Sequence, residues 1–548
     1  MSALVPVVTA RGAHGAVASP HHLATAAGIA TLRAGGSAVD AAIATNAALS
    51  VVASYMCGLG GDAFWLIFDP ALDRVVALNG SGRSAAGASI EAARAAGLAE
   101  MPVRGPWTVT VPGAIASWGA AHTRFGRLAW AELMAPAIEL ATGFPASDAW
   151  AASVERSATL FGTSGGWAEV CRPHGRAWRV GEVVRLPARA ETLKGLAADG
   201  PDDAYTGRLA ERAAAFLASA GSPLRLADFQ AHQSDWGEPI ATDYRGVTAV
   251  SHPPNSCGPL ALQMLNVLDA LQPPPSAAFT ADGVADAAWV HAGLEAARLA
   301  LADRDALLSD PDAMAPGALE QLLSREEARR RAQSIDPARA APAPASSLPA
   351  GGGTVYLATA DRWGGLVSLI ESNYAGFGSG LTDPQTGISY QNRGAFFRLD
   401  PGHVNSLAPR KRTVHTLTPG MLLRDGRPWI AHGSMGGEIQ PQVYAQFVSA
   451  VVDGGVDISR AIAAPRWAAV MERHLGAPST TLLEERYDSA VVARLRALGH
   501  DVRLAEPFDS TLGHAHAVEI VRDPADPAAP PTLAAAADPR SEGLPGAL

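Results

Sequence analysis

The chain has 548 residues, is 48% hydrophobic and 18% charged, and carries a formal net charge of −10. That balance describes an ordinary globular protein with ample core, and with no stripe of Lys and Arg it argues against a nucleic-acid partner. Length suggests roughly three or four domains, or one large multilayer α/β unit with a break near residue 350.

Gly15 to Ala18 reads as a short strand, and Ser19-Pro20 as an N-cap with proline at the first helical position. The helix that follows runs to about Arg33 and stops at Gly35-Gly36. Val39 to Val52 is apolar almost throughout and reads as a buried helix. After Cys57-Gly58-Leu59-Gly60-Gly61-Asp62 comes the strand Ala63 to Phe68. His21-His22 starts a helix and has no further ligands nearby, so no metal is expected. Val75 to Leu78 is a strand leading to Asn79-Gly80-Ser81-Gly82-Arg83-Ser84. An Arg in such a loop can hold a carboxylate bidentately, the alternative being a solvated surface Arg83.

Thr108 to Gly113 reads as strand and turn, and Ala114 to Phe125 and Trp130 to Gly143 as helices. Further helices are expected over Leu260 to Leu271, Trp289 to Asp303 and Pro316 to Gln333. The three cysteines, Cys57, Cys171 and Cys257, form no CxxC, and an odd count gives no disulfide framework. A reducing, cytoplasmic setting is the corresponding expectation. Met1 to Gly15 lacks the basic and long apolar regions of a signal peptide, and nothing reaches the ~20 apolar residues of a membrane span.

The informative stretch begins in breaker-rich sequence from Asp336 to Ala350, with four prolines, followed by Gly351-Gly352-Gly353 and Thr354. Val355, Leu357 and Thr359 then alternate with Tyr356 and Ala358; Asp361 to Gly365 turns, and Leu366 to Ile370 returns. A mobile arm feeding a hairpin whose first residue carries a hydroxyl is what a self-cleaving precursor requires. Cleavage before Thr354 would leave its Oγ beside its own amine, whose reference pKa of about 7.7–8.0 suits a base near neutral pH. A flexible interdomain linker is the plain alternative. Beyond it, Gly433-Ser434-Met435-Gly436-Gly437 can present consecutive backbone N–H groups to an anion before the helix Gln440 to Val452.

Taken together, Leu32 to Ala42, Gly58 to Asp62, Thr110 to Gly113, Thr354 to Asp361, Phe377 to Gly380, Gly433 to Gly437 and Asp538 to Ser541 resemble the γ-glutamyltranspeptidase family of N-terminal-nucleophile hydrolases. The resemblance implies a four-layer α/β fold, an αββα sandwich. It implies a precursor cut between Gly353 and Thr354 into a large chain, residues 1–353, and a small chain, 354–548, which stay together as one unit. Pairing of two such heterodimers is left open. By position Thr354 resembles the family's catalytic Thr, Ser372 the hydroxyl that bonds it, Gly436 and Gly437 the oxyanion pair, and Arg83 the holder of the substrate's α-carboxylate. No cofactor or metal is implied.

At the substrate positions the chain departs from glutathione-cleaving members. Phe396 stands where an Asp would bind the α-ammonium, Tyr374 where an Asn lies, Arg393 where an acidic or amide residue lies, and His415 and Thr416 where paired serines lie. The segment from Phe396 to His415 is short, which implies an absent lid. These changes resemble the oxamate amidohydrolase and acylase subgroup. The expectation is an amidohydrolase acting through an acyl-enzyme on a small carboxylate-bearing amide, with acyl transfer as a further capability. The alternatives are a γ-glutamyl hydrolase or transpeptidase, a cephalosporin or glutaryl acylase, and a non-catalytic binding protein.

Overall fold

Residues 353–361 alternate in a way that fixes two packing surfaces at once. Val355 and Leu357 enter a core shared with helices, while Tyr356, Ala358 and Ala360 enter a second core between two sheets. The computed structural model that shows this describes residues 7–162, 166–274, 276–341, 353–470, 480–523, 525–526 and 529–548. The proposed arm therefore lies mostly outside the described residues. Its described portion, 336–341, is fastened: Ala340 N donates to Leu498 O at 2.7 Å, and Ala341 N to the Glu295 carboxylate at 3.2 Å.

Two seven-stranded sheets face each other. The first runs, edge to edge, through Gly546–Ala547, Gly15–Ala18, Gly353–Asp361, Leu366–Tyr374, Asp62–Asp69, Arg74–Gly80 and Asp235–Gly237. The second runs through Thr9–Gly12, Thr532–Ala537, Ala515–Val521, Arg427–Ser434, Gly420–Arg424, Val247–Ser251 and Ile240–Tyr244. Every pairing within them is antiparallel. Both sheets draw strands from each side of residue 353, so neither half of the chain could close its own sandwich.

Helices cover the outer faces, completing the αββα order. Ala38–Val52 is buried along its whole length against the first sheet. Its small side chains allow close approach, and Ser37 and Asp40 form a capping box at its start. Ala38 N also donates to the Asp361 carboxylate at 2.8 Å, which ties the far end of the Thr354 strand to this helix. Gly258–Ala270 and Gln440–Val452 pack on the second sheet, and Ala287–Leu307 packs against those two helices.

Several expected elements need correction. The first helix is His22–Arg33, capped by the His21 side chain accepting from Leu23 N rather than by Ser19. Thr108 to Val111 pairs with no strand: Thr108 ends a 3₁₀ turn, Pro106–Thr108, and the residues after it run extended, with Val111 N donating to Arg83 O and Gly113 N to Gly61 O. Pro316 to Gln333 is two helices, Ala318–Leu323 and Arg325–Ser334, because Ser324 leaves the helical region to cap the second. All three cysteines are free and buried. Among the described residues, no helix is long and apolar enough to cross a membrane.

Candidate active site

The hairpin register sets Thr354 opposite Ser372. Both side chains are 1% exposed. The Thr354 hydroxyl donates to Ser372 Oγ at 3.0 Å, and Ser372 Oγ donates in turn to the Gly353 carbonyl at 2.6 Å. Tyr374 N donates back to Ser372 Oγ at 2.7 Å. Tyr374 takes a positive φ of 73°, a strained conformation for a bulky residue, where the chain turns out of the strand.

Arg393 closes this cluster. Residues Arg393–Phe396 form a short 3₁₀ turn that buries the guanidinium to 2% exposure. Its Nη2 lies 3.3 Å from Ser372 Oγ and its Nη1 3.2 Å from Thr416 Oγ1. The plane sits over the Tyr374 ring at 4.8 Å and near the Phe396 ring at 5.2 Å, and those two rings are themselves 4.6 Å apart. Among the described residues, no carboxylate comes within ion-pair distance of Arg393, and its Nε has no acceptor. Burial lowers its pKa to about 10, so it stays charged at neutral pH.

His415 adjoins Thr416 and is fully buried against Phe64, with ring centroids 4.9 Å apart. Its Nε2 is 3.4 Å from Asp62 Oδ2, and burial keeps the ring neutral by lowering its pKa well below 6.5. Asp62 Oδ1 accepts from Gly82 N at 3.2 Å and Gly113 N at 3.1 Å. The loop between Phe396 and His415 is short and pinned by Asn405, whose Nδ2 donates to Phe396 O and Thr413 Oγ1, both at 2.9 Å.

Gly436 and Gly437 lie where strand Arg427–Ser434 leaves the second sheet. Gly433 packs flat on the Tyr356 ring; a Cβ there would fall 2.4 Å from it. Since Tyr356 is two residues from Thr354, this contact brings the following turn to the Thr354 end of the first sheet. Gly436 has φ 135°, and Gly437 opens a 3₁₀ turn, whose first amides lack internal acceptors. A cavity of about 340 Å³ opens between Gly376 and Met435, with Arg104 and Arg156 in its lining.

The structure thus brings together Thr354, Ser372, Tyr374, Arg393, Phe396, His415 and Thr416. Arg83 stands apart from them. It is about one-third exposed, with Nη1 3.1 Å from Asp310 Oδ2 and 3.3 Å from Arg410 O. Asp62 was missed in the sequence as a site residue. The available signal was an acidic residue opening an otherwise apolar strand directly after Gly60-Gly61. Outside the site, His291, Glu295 and His500 cluster at metal-ligand distance. Their donors are already used: the two rings bond at 2.7 Å, and Arg298 bridges Glu295 at 2.7 Å and His500 at 3.2 Å.

An αββα sandwich with a hydroxyl residue at the buried head of an inner strand defines the N-terminal-nucleophile hydrolase class. A structure described as cephalosporin acylase from Bacillus halodurans matches with a TM-score of 0.90 and 35% identity, covering 100% of this chain and 98% of that one. The family model described as Gamma-glutamyltranspeptidase matches residues 24–548. The chain is 40% identical over 539 residues to the oxamate amidohydrolase proenzyme of Klebsiella pneumoniae, covering 97% of this chain and 98% of that protein. It is 38% identical over 530 residues to the glutathione hydrolase-like YwrD proenzyme of Bacillus subtilis, covering 96% and 97%. It belongs to the γ-glutamyltranspeptidase family and is an amide-cleaving hydrolase or transferase.

Proposed function

We propose that the chain is a self-processing amidohydrolase for small amides that carry a carboxylate close to the scissile bond. In the uncut chain, Ser372 Oγ donates to the Gly353 carbonyl, the group that processing must attack. Thr354 Oγ adds to that carbonyl carbon, and the C–N bond breaks as the amide nitrogen takes a proton. The resulting ester is hydrolysed by water, which leaves a Gly353 carboxylate and a free Thr354 amine. The relatives named as proenzymes support this maturation.

In the mature protein, Thr354 Oγ attacks the substrate carbonyl while its own amine, directly or through one water, takes the hydroxyl proton. The Gly436 and Gly437 amides face the oxyanion. The protonated amine returns its proton to the leaving nitrogen, and water then hydrolyses the acyl-enzyme. This scheme needs no cofactor.

The observation that carries the substrate class is Arg393, a buried cation beside the nucleophile whose hydrogen bonds, among the described residues, go to neutral hydroxyls. Such a charge is costly to bury unless a ligand completes its pairing. A substrate carboxylate would do so. The same guanidinium disfavours a γ-glutamyl substrate, whose ammonium would meet a like charge where Phe396 offers no carboxylate.

Amine release from oxamate, γ-glutamyl-p-nitroanilide and glutaryl-p-nitroanilide, measured side by side, tests the proposal. Oxamate should give the highest kcat/KM. A γ-glutamyl preference would overturn the substrate assignment, and a glutaryl preference would point to an acylase. Absence of turnover and of acyl-enzyme with every amide would mark a binding protein.

A further inference from the structure

The cluster around Arg393 contains one negative group that the proposed chemistry does not use. Asp62 is 1% exposed and opens the strand beside Ser372, its register partner. Its two oxygens tie three separate segments: Oδ1 accepts from Gly82 and Gly113, and Oδ2 lies against His415. His415 sits next to Thr416, which Arg393 bonds, and its Nδ1 has no partner among the described residues. Asp62 is thus the carboxylate whose field reaches Arg393, one shell away from contact.

Building on the carboxylate reading of Arg393, we propose that Asp62 is its exchangeable counter-ion and a positioning residue of the site: when an anionic substrate pairs with Arg393, Asp62 takes up one proton from solvent. Two negative charges sharing one buried cation is an unfavourable state, and protonating the one that does not touch the cation relieves it. Burial already raises the Asp62 carboxyl to about 7, against the lowering effect of Arg393, the two amides and Arg412. Glu371 and Tyr205 are the other titratable groups whose charge couples to it, and His415 faces it neutral. The proton moves only between solvent and Asp62; no substrate bond changes.

The linkage has a definite sign. Below about pH 7 Asp62 is already protonated and binding takes up nothing. Just above it, the free enzyme holds an ionised Asp62 and the complex a protonated one, so affinity weakens by up to tenfold per pH unit.

Titration calorimetry of the processed protein with pyruvate tests this. Pyruvate matches oxamate in shape and charge but has no amide to cleave. Runs at pH 7.5 in two buffers of different ionisation enthalpy give the proton count. Wild type should take up a substantial fraction of a proton, falling toward zero near pH 5.5, and Asp62→Asn should bind pyruvate with none at either pH. Pyruvate binding without uptake in wild type, or with undiminished uptake in the variant, overturns the Asp62 proposal and leaves the carboxylate reading of Arg393 intact. No binding to wild type overturns both. Should Asp62→Asn fail to fold, the pH dependence of the wild-type proton count decides alone: uptake that does not vanish near pH 5.5 contradicts it.

Discussion

Ser372 Oγ donates to the carbonyl of Gly353 at 2.6 Å and accepts from the hydroxyl of Thr354 at 3.0 Å, so one side chain touches both the proposed electrophile and the proposed nucleophile of a single peptide bond. A hydroxyl placed this way polarises the carbonyl and orients the attacking oxygen. It can do both because the strands pair Thr354 with Ser372 across a hairpin whose interior is buried along both faces.

Replacing Ser372 should therefore slow self-cleavage more than it unfolds the protein. Ser372→Ala is expected to cut the processing rate by about 10²- to 10³-fold, the usual cost of one well-placed donor to a developing oxyanion. Ser372→Thr, which keeps the hydroxyl, should recover most of it. Band ratios on a denaturing gel over time measure this.

Arg393 and Arg83 should separate cleanly. Removing one partner of a buried charge pair costs about 3–5 kcal/mol, so Arg393→Ala should lower kcat/KM for a carboxylate-bearing amide by about 10²- to 10⁴-fold. Arg83→Ala should cost less than about tenfold, because that side chain is partly exposed and already paired with Asp310. Neutral amides of the same size should show little response to Arg393→Ala. Initial rates over a range of substrate concentrations check all three.

Stability should peak near pH 7 and fall on both sides. Burial holds His21, His232, His432 and His516 down to about 3, and His252 and His514 to about 4. Each has an unfolded value near 6.5, so the unfolded chain binds more protons below that pH and stability is lost as pH falls. Asp62 and Glu371, raised by burial to about 7 and about 8, act oppositely. The native state binds their protons, so their contribution declines as pH rises from about 4 to 8. Below about pH 7 the six histidines outweigh the two carboxylates; above it the unfolded histidines hold few protons, the carboxylates prevail, and the decline is gentle. Melting temperatures at pH 5, 7 and 8 should show a clear drop to pH 5 and a small one to pH 8.

How much of this was legible follows from sequence distance. The Thr354 strand stood out because its alternation begins immediately after three glycines. Even the Ser372 partnership was within reach: Thr354 lies seven residues before Asp361, and Ser372 seven after Gly365, the ends of the turn. Asp62 was not within reach, since its partners Gly82, Gly113 and His415 come from three segments joined only in the fold. Thr108 to Val111 misled because β-branched residues suit a strand, yet Thr108 ends a 3₁₀ turn and Val109 to Val111 line an extended segment that bonds loops. Asp310 was equally out of reach as a neighbour of Arg83, since it lies more than two hundred residues along the chain.

The most direct measurement is the mass of the purified, active protein under denaturing conditions. Two chains are predicted, the smaller beginning at Thr354 with a free amine, and Thr354→Ala should give only the undivided chain. Full activity in material whose spectrum shows a single intact polypeptide would contradict the proposed mechanism at its root.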